Sequence, residues 1–284
     1  AVKTKKIMLG FGILELPLHN PVRVAIQTAL LDNLCQGRLV VGTGRGSNYN
    51  AYEYVGFGTT TGLGVAQLDE AEELLVKAWT EDNVVHKGKF WDLSFPGLRP
   101  RPYQKPHPPI VRACISEESM IAMGQAGRPV LIGVQTVDTL RNRFGRYKEA
   151  LEESGLTENQ VESTLDQSWA QRGLFVCDSD QEGLDIVEAG LDRYKAHLLD
   201  ARVRFNPSGA PPPAPGTPTP AGEIVEHAFL AGTPATVAGK LEELRDIGVR
   251  NMMLNPNVGQ IAEDRVEKSL RMFGEQVMPK FRDD

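Results

Sequence analysis

A permanently charged arginine at the end of an apolar run is the clearest chemical feature of the chain. Residues Gly37-Arg38-Leu39-Val40-Val41-Gly42-Thr43-Gly44-Arg45-Gly46 read as a glycine turn, a short buried strand, then three glycines spaced by two with Arg45 among them. Glycines at a strand end let backbone come close to something flat or anionic. A guanidinium there offers a planar fork suited to phosphate. The plain alternative is that Arg45 pairs with a nearby carboxylate. A dinucleotide fingerprint is excluded: the third glycine would fall at position 47, which is Ser47, and no helical pattern begins there.

Other reactive side chains show no such grouping. Cys35, Cys114 and Cys177 are widely separated inside helix or strand patterns, which is neither a disulfide framework nor a metal knuckle. His19, His86, His107, His197 and His227 lack ligand spacing, so a metal-free protein is expected. The formal net charge of -6 argues against nucleic acid as a partner. No apolar run approaches the ~20 residues of a membrane span, and no secretory signal opens the chain. A cytoplasmic protein without a membrane partner is the expectation.

The elements that must position Arg45 alternate between strand and helix. Ile7 to Leu16 reads as a buried, glycine-interrupted strand, preceded from Ala1 by what looks like the end of a helix. Asn20-Pro21 starts a helix that Gly37 ends, with Val24, Thr28, Leu31 and Cys35 on one face. Leu39 to Thr43 is the second strand. A glycine- and tyrosine-rich loop follows over 46–66, then a helix faced by Leu68, Ala71, Leu75 and Ala78. Residues 84–103 read as a hairpin of Val84-Val85-His86 and Lys89-Phe90-Trp91 around a Lys87-Gly88 turn, then proline-rich chain. Further strands are expected at Pro109 to Cys114, Pro129 to Val134, Leu174 to Cys177 and Arg250 to Leu254. Helices are expected from Ser116 to about Gly127, Val137 to Glu153, Gln181 to Leu199, Thr233-Pro234 to Ile247, and Ala262 to Met278. Seven prolines in 207–220 predict an extended loop. Strand–helix alternation of this kind means a parallel sheet covered by helices; a doubly wound sheet and a (β/α)₈ barrel both fit, and the wide loops after strand ends favour the barrel. Only six strands are legible, which would leave the strand from Ile7 and the strand to Leu254 as open edges.

With these elements placed, the chain resembles the bacterial luciferase-like, flavin-dependent monooxygenases along nearly its whole length. Leu16-Pro17-Leu18-His19-Asn20-Pro21-Val22-Arg23 is similar to the family's sequence after its third barrel strand. Leu31-Asp32, Gly37-Arg38, Gly42-Thr43-Gly44-Arg45-Gly46, Glu53-Tyr54, Phe57-Gly58, Trp79 and Gly88-Lys89-Phe90 follow in the family's order. So do Gly232-Thr233-Pro234, Leu270-Arg271-Met272-Phe273 and Val277-Met278-Pro279 near the end.

The resemblance implies a luciferase-like (β/α)₈ TIM barrel over 1–284, binding reduced FMN at the C-terminal ends of its strands. It implies a monooxygenase that oxidises an organic small molecule with O₂, reduced flavin coming from a separate flavin reductase. Arg45, beside Gly44, would grip the FMN phosphate, with Ser116 and Ser119 as further contacts at a helix N-terminus. The plain alternative for Ser116 is an N-cap, and Glu117 and Glu118 suit the helix start while repelling a phosphate. Gly12-Ile13 occupies the place of a non-prolyl cis peptide under the flavin ring, the alternative being an ordinary glycine bulge. Glu53 resembles an acidic residue of the flavin pocket or is an exposed loop glutamate. His19 reads as a loop histidine, Tyr49, Tyr52 and Tyr54 as pocket lining or loop packing, and Cys114 as a buried strand residue. No catalytic residue is assigned. Relatives begin with two more strand–helix units, so the barrel is expected to be incomplete at its N-terminus, and the proline-rich loop 205–222 falls where relatives carry a mobile segment, a possible lid. A deazaflavin-dependent oxidoreductase and a non-catalytic flavin-fold partner subunit are the alternatives; a homodimer or heterodimer is implied.

Overall fold

The computed structural model describes residues 1–209 and 221–282, so most of the proline-rich loop, and the lid expected there, lie outside the described residues. The chain divides into two compact units, Ala1–Ala113 joined by the short stretch from Arg204, and Cys114–Val203 joined by the C-terminal residues.

The first unit is organised on β3 (Leu39–Gly44), onto which β1 (Leu9–Gly10) and β2 (Leu14–Glu15) both pair in parallel, Leu9 opposite Leu39 and Glu15 opposite Gly44. The strand expected over 7–16 is therefore two short pieces, parted at a cis Gly12–Ile13 peptide. The break is matched by the glycines of β3. A Cβ on Gly42 would collide with the Phe11 carbonyl oxygen, and one on Gly44 with the Ile13 side chain. What approaches these two glycines is thus the chain itself, a correction to the expectation of a flat or anionic ligand there. Residues 1–6, expected as a helix end, form turns and bends instead, held where the Arg38 guanidinium donates to the carbonyls of Ala1, Thr4 and Ile7.

On the other edge β3 pairs in parallel with β6 (Ile110–Cys114), Val41 opposite Ile110 and Thr43 opposite Arg112. Two helices cover this sheet. Helix α1 (Pro21–Leu34) starts as the sequence predicts, Asn20 Oδ1 accepting the Arg23 N–H at 3.0 Å with Pro21 in the first turn. A left-handed Gln36–Gly37 pair ends it (φ 55° and 81°). The loop over 46–66 contains a short helix, α2 (Ala51–Val55), that its glycines concealed, before α3 (Gly64–Thr80). Val24, Ala25 and Ala29 of α1 and Leu68, Ala71, Leu75 and Trp79 of α3 bury against Leu39 and Val41.

The hairpin is shifted from its expected register: β4 (Asn83–Lys87) pairs antiparallel with β5 (Asp92–Pro96), and residues 88–91 form the turn. Glu70 of α3 is the reason. Its carboxylate accepts the N–H groups of Lys89, Phe90 and Trp91 at 2.8–3.1 Å, which removes them from any ladder. Burial pushes the Glu70 carboxyl up, but these bonds and one from His86 outweigh it and hold the group below the usual range. A depressed carboxylate contributes stability above its unfolded value of ~4.3 that is lost as pH falls through the folded one. Glu70→Gln is therefore expected to lower the thermal midpoint at pH 7, with the gap to wild type narrowing as the pH falls below the ordinary glutamate range; a gap that does not narrow would remove Glu70 as the hairpin's anchor.

The second unit is centred on β8 (Trp169–Val176). It pairs in parallel with β7 (Val130–Ile132), with β10 (Asn251–Asn255) from Asn251 opposite Trp169 to Asn255 opposite Gly173, and with β9 (Leu230–Gly232) opposite Leu174 to Val176. β8 begins five residues before the expected strand, because the polar Gln171 and Arg172 masked its start. The three-residue β9 had no periodic signal of its own. Helices α4 (Glu117–Gln125), α5 (Val137–Glu152), α7 (Asp180–Phe205), α9 (Pro234–Ile247) and α10 (Glu263–Met272) occupy expected places, α7 running past Leu199. α10 stops at Met272 and passes into a wide π turn over Phe273–Val277, short of the expected single helix to Met278. Two helices escaped notice: α6 (Glu158–Asp166), with a Thr157–Gln160 capping box, and α8 (Ala221–Ala228). Met120, Ile132, Leu140, Phe144, Leu151, Ala170, Leu174 and Val237 form the core. Tyr147 is buried among them, its hydroxyl bonded to the Arg128 carbonyl at 3.0 Å and to Ser168 at 3.1 Å, and burial pushes the phenol up to about 12.

Candidate active site

In the first unit, chemistry gathers where β2 and β3 end. Arg45 follows Gly44, the last residue of β3; its guanidinium donates to Asn48 Oδ1, and its carbonyl accepts the Tyr54 hydroxyl. Among the described residues Arg45 forms no ion pair, so its side chain has a neutral partner rather than the carboxylate of the plain alternative. Glu15, last residue of β2, stands opposite Gly44 and lays its carboxyl against Gly46, where a Cβ would come within 3.0 Å of Glu15 Cδ. Gly46 also has φ +85°, which favours glycine. Glu53 of α2 accepts Asn50 Nδ2 at 2.9 Å on one oxygen, while the other is buried without a partner.

These charges act on each other. Burial pushes the Glu15 carboxyl up, and the nearby Glu53 charge adds to it. The Tyr54 phenol is raised first by burial, opposed by Arg45 and reinforced by Glu15 and Glu53. One guanidinium, two carboxylates and a phenol thus share the strand ends. Glu15 was missed from sequence; the available signal was a lone charge inside the apolar run Leu14-Glu15-Leu16-Pro17.

The remaining expected residues sort by packing. Gly12 is exposed and Ile13 half-buried, so the backbone between them is bare on one side. The tyrosine-bearing loop is clasped by the end of α7: Tyr52 N–H donates to Asn206 Oδ1 at 3.1 Å, Asn206 Nδ2 donates to the Tyr49 carbonyl at 2.9 Å, and Phe205 meets the Tyr52 ring edge-on. Tyr54 is fully buried, whereas Tyr49 is 42% exposed. His19 is an exposed loop residue against the Phe57 ring.

Behind Arg45 lies a buried charge network that no local pattern announced. Arg112 of β6 donates through Nε to Glu72 Oε1 at 2.8 Å, through Nη2 to Glu72 Oε2, and to Asp69 Oδ1 at 2.8 Å. Thr43 Oγ1 donates to the same Glu72. Burial lowers the Arg112 pKa, but Glu72 and Asp69 outweigh it and hold the group raised. Thr43 and Arg112 are register partners, so the network fixes β3 against β6 two residues before Arg45.

In the second unit Ser116 caps α4, its Oγ accepting the Ser119 N–H at 3.3 Å while Ser119 Oγ donates to the Ser116 carbonyl at 2.8 Å. The plain N-cap role is therefore filled. The Glu118 carboxyl is held low, by its own backbone N–H and then by Ser116. Cys114 is buried at the end of β6, as expected of a strand residue.

Parallel strands followed by helices, with charged groups at the strands' C-terminal ends, are the layout of a (β/α) barrel enzyme. The model of the luciferase-like monooxygenase family matches residues 1–251. 2,5-Diketocamphane 1,2-monooxygenase 1 of Pseudomonas putida is 24% identical over 98% of this chain and 82% of its own length. The oxygenase component of the flavin-dependent trigonelline monooxygenase of Acinetobacter baylyi is 29% identical over 54% of this chain and 44% of its own. The F420-dependent glucose-6-phosphate dehydrogenase of Kineococcus radiotolerans is 30% identical over 58% and 50%. Among solved structures, a monooxygenase from Streptomyces bottropensis matches with a TM-score of 0.76 at 23% identity, over 99% of this chain and 80% of that one. The oxygenating constituent of 3,6-diketocamphane monooxygenase from Pseudomonas putida, a type II Baeyer–Villiger enzyme in complex with FMN, matches at 0.74 and 21%, over 99% and 81%.

The chain belongs to the luciferase-like monooxygenase family. Its fold is that family's α/β barrel type, with eight parallel strand segments among the described residues, and it is an oxidoreductase of the monooxygenase class. No described helix is long and apolar enough to cross a membrane.

Proposed function

We propose that residues 1–284 act as one flavin-binding domain, the oxygenase of an FMN-dependent monooxygenase that receives reduced FMN from a separate reductase. The observation that carries this is Arg45, a guanidinium at a strand's C-terminal end with a neutral partner and no carboxylate, a donor set that fits a phosphate. Gly44 brings the chain to that point, the bare Gly12–Ile13 backbone supports the ring, and Glu53, with one unpaired buried oxygen, is an acceptor facing the same strand ends. In the second unit Ser116 and Ser119 open a helix whose N-terminal N–H groups by themselves suit a phosphate. The bound flavin supplies the oxidation chemistry; the protein binds, orients and excludes water. A relative described as an oxygenase component supports a separate reductase, and three buried cysteines outside any disulfide suit a cytoplasmic setting. The exposed apolar stripe Ile26, Leu30 and Leu34 on α1 is in keeping with a homodimer or heterodimer.

The deazaflavin alternative is favoured by the F420-dependent relative. Titrating the protein with FMN and with a deazaflavin, then supplying each in reduced form with ¹⁸O₂ and a cyclic ketone panel, separates the two. Tight FMN binding and one ¹⁸O in the product are expected; preferential deazaflavin binding with no ¹⁸O incorporation would overturn the proposal.

A further inference from the structure

Glu15 is held beside Arg45 by the sheet, not by chance of side-chain reach. It ends β2 opposite Gly44, and its two carboxyl oxygens lie 3.1 and 3.2 Å from where a Cβ on Gly46 would stand, so that it rests on the backbone that follows Arg45. Glu53 of α2 acts on the Glu15 carboxyl, and Arg45, Glu15 and Glu53 all act on the Tyr54 phenol, which places the four groups in one neighbourhood. Among the described residues Arg45 bonds Asn48 rather than Glu15, so its guanidinium does not neutralise that carboxylate.

We propose that Glu15 is a specificity-determining residue that opposes the cofactor's phosphate at Arg45, keeping the flavin loosely held whenever Glu15 is ionised. This rests on Arg45 as the phosphate contact. A cofactor delivered reduced by one protein and released oxidised by another has to exchange, and a fixed negative charge next to the phosphate's own cation provides for that. The sign follows from chemistry. Burial and Glu53 raise the Glu15 carboxyl, so it takes up a proton at a higher pH than an ordinary glutamate, and the repulsion disappears as pH falls. The phosphate's second ionisation, near pH 6, acts the other way: more charge at high pH strengthens attraction to Arg45.

The test titrates oxidised FMN and riboflavin into the full chain at pH 5 and pH 8, read by flavin fluorescence quenching. Glu15→Gln is expected to tighten FMN by about tenfold at pH 8, by less at pH 5, and to leave riboflavin unchanged at both, the scale of one unit charge near a dianion at a protein surface. Glu15→Asp, which keeps the charge, is expected to behave as wild type. Unchanged or weakened FMN binding in Glu15→Gln at pH 8, or equal tightening of FMN and riboflavin, would overturn the proposal. Should that variant not fold, Glu15→Ala in the same titration decides: selective tightening of FMN over riboflavin at pH 8 is again expected, whereas unchanged or weakened FMN binding refutes Glu15. Arg45→Ala in the same titration keeps the two ideas apart. Selective loss of FMN in Arg45→Ala with no effect of Glu15→Gln leaves the phosphate contact standing and Glu15 refuted; equal effects of Arg45→Ala on both flavins remove the contact itself.

Discussion

Replacing Arg45 by alanine is expected to weaken FMN binding by about tenfold to a hundredfold while leaving riboflavin, which lacks the phosphate, unaffected. A charge-assisted contact is worth ~1.5–3 kcal/mol, which sets that range. The geometry makes the result specific. Among the described residues the Arg45 side chain hydrogen-bonds only Asn48 Oδ1, and Tyr54 bonds the Arg45 carbonyl, which alanine retains. The loop is therefore expected to survive the substitution, with the thermal midpoint close to wild type. Parallel titrations by calorimetry check it. Equal losses for the two flavins would remove Arg45 from the phosphate, and a large drop in midpoint would make it a structural residue.

The largest stability effect is expected behind the site, at Glu72. Glu72→Ala leaves Arg112, buried in β6, with only the exposed Asp69 to answer its charge, and leaves Thr43 Oγ1 without its acceptor. Breaking one side of a buried pair costs ~3–5 kcal/mol, since the stranded charge cannot be resolvated. The double variant Glu72→Met, Arg112→Leu removes both charges and is expected to recover much of that loss. Urea unfolding of the single and double variants measures both. If Glu72→Ala costs less than about 1 kcal/mol, the network is solvated and does not set the β3–β6 register.

Local structure was legible where its causes are local. Asn20-Pro21, Ser116 and Thr233 cap helices whose first turn lies within four residues of the cap, so each start could be read directly. The apolar cores of β3, β6, β7 and β10 were found for the same reason: a short buried strand carries its own hydrophobic signature. Elements whose stability comes from elsewhere were missed or shifted. β9 has three residues and exists because β8 offers it a ladder. The hairpin slid because Glu70, about twenty residues upstream, captured its turn.

By itself, the sequence determined the alternation of strands and helices, the family, and the placing of Arg45 at a strand end. These depend on residue type and short spacing. Only the tertiary structure decided what surrounds Arg45. It filled the gaps above Gly42 and Gly44 with Phe11 and Ile13, and brought Glu15 onto Gly46. It also joined Thr43, Asp69, Glu72 and Arg112 into one network. Those partners lie far apart along the chain, and hydrogen bonds and charges act over only a few ångströms. Their pairing is set when β2, β3 and β6 fall into register, and no residue carries that register alone.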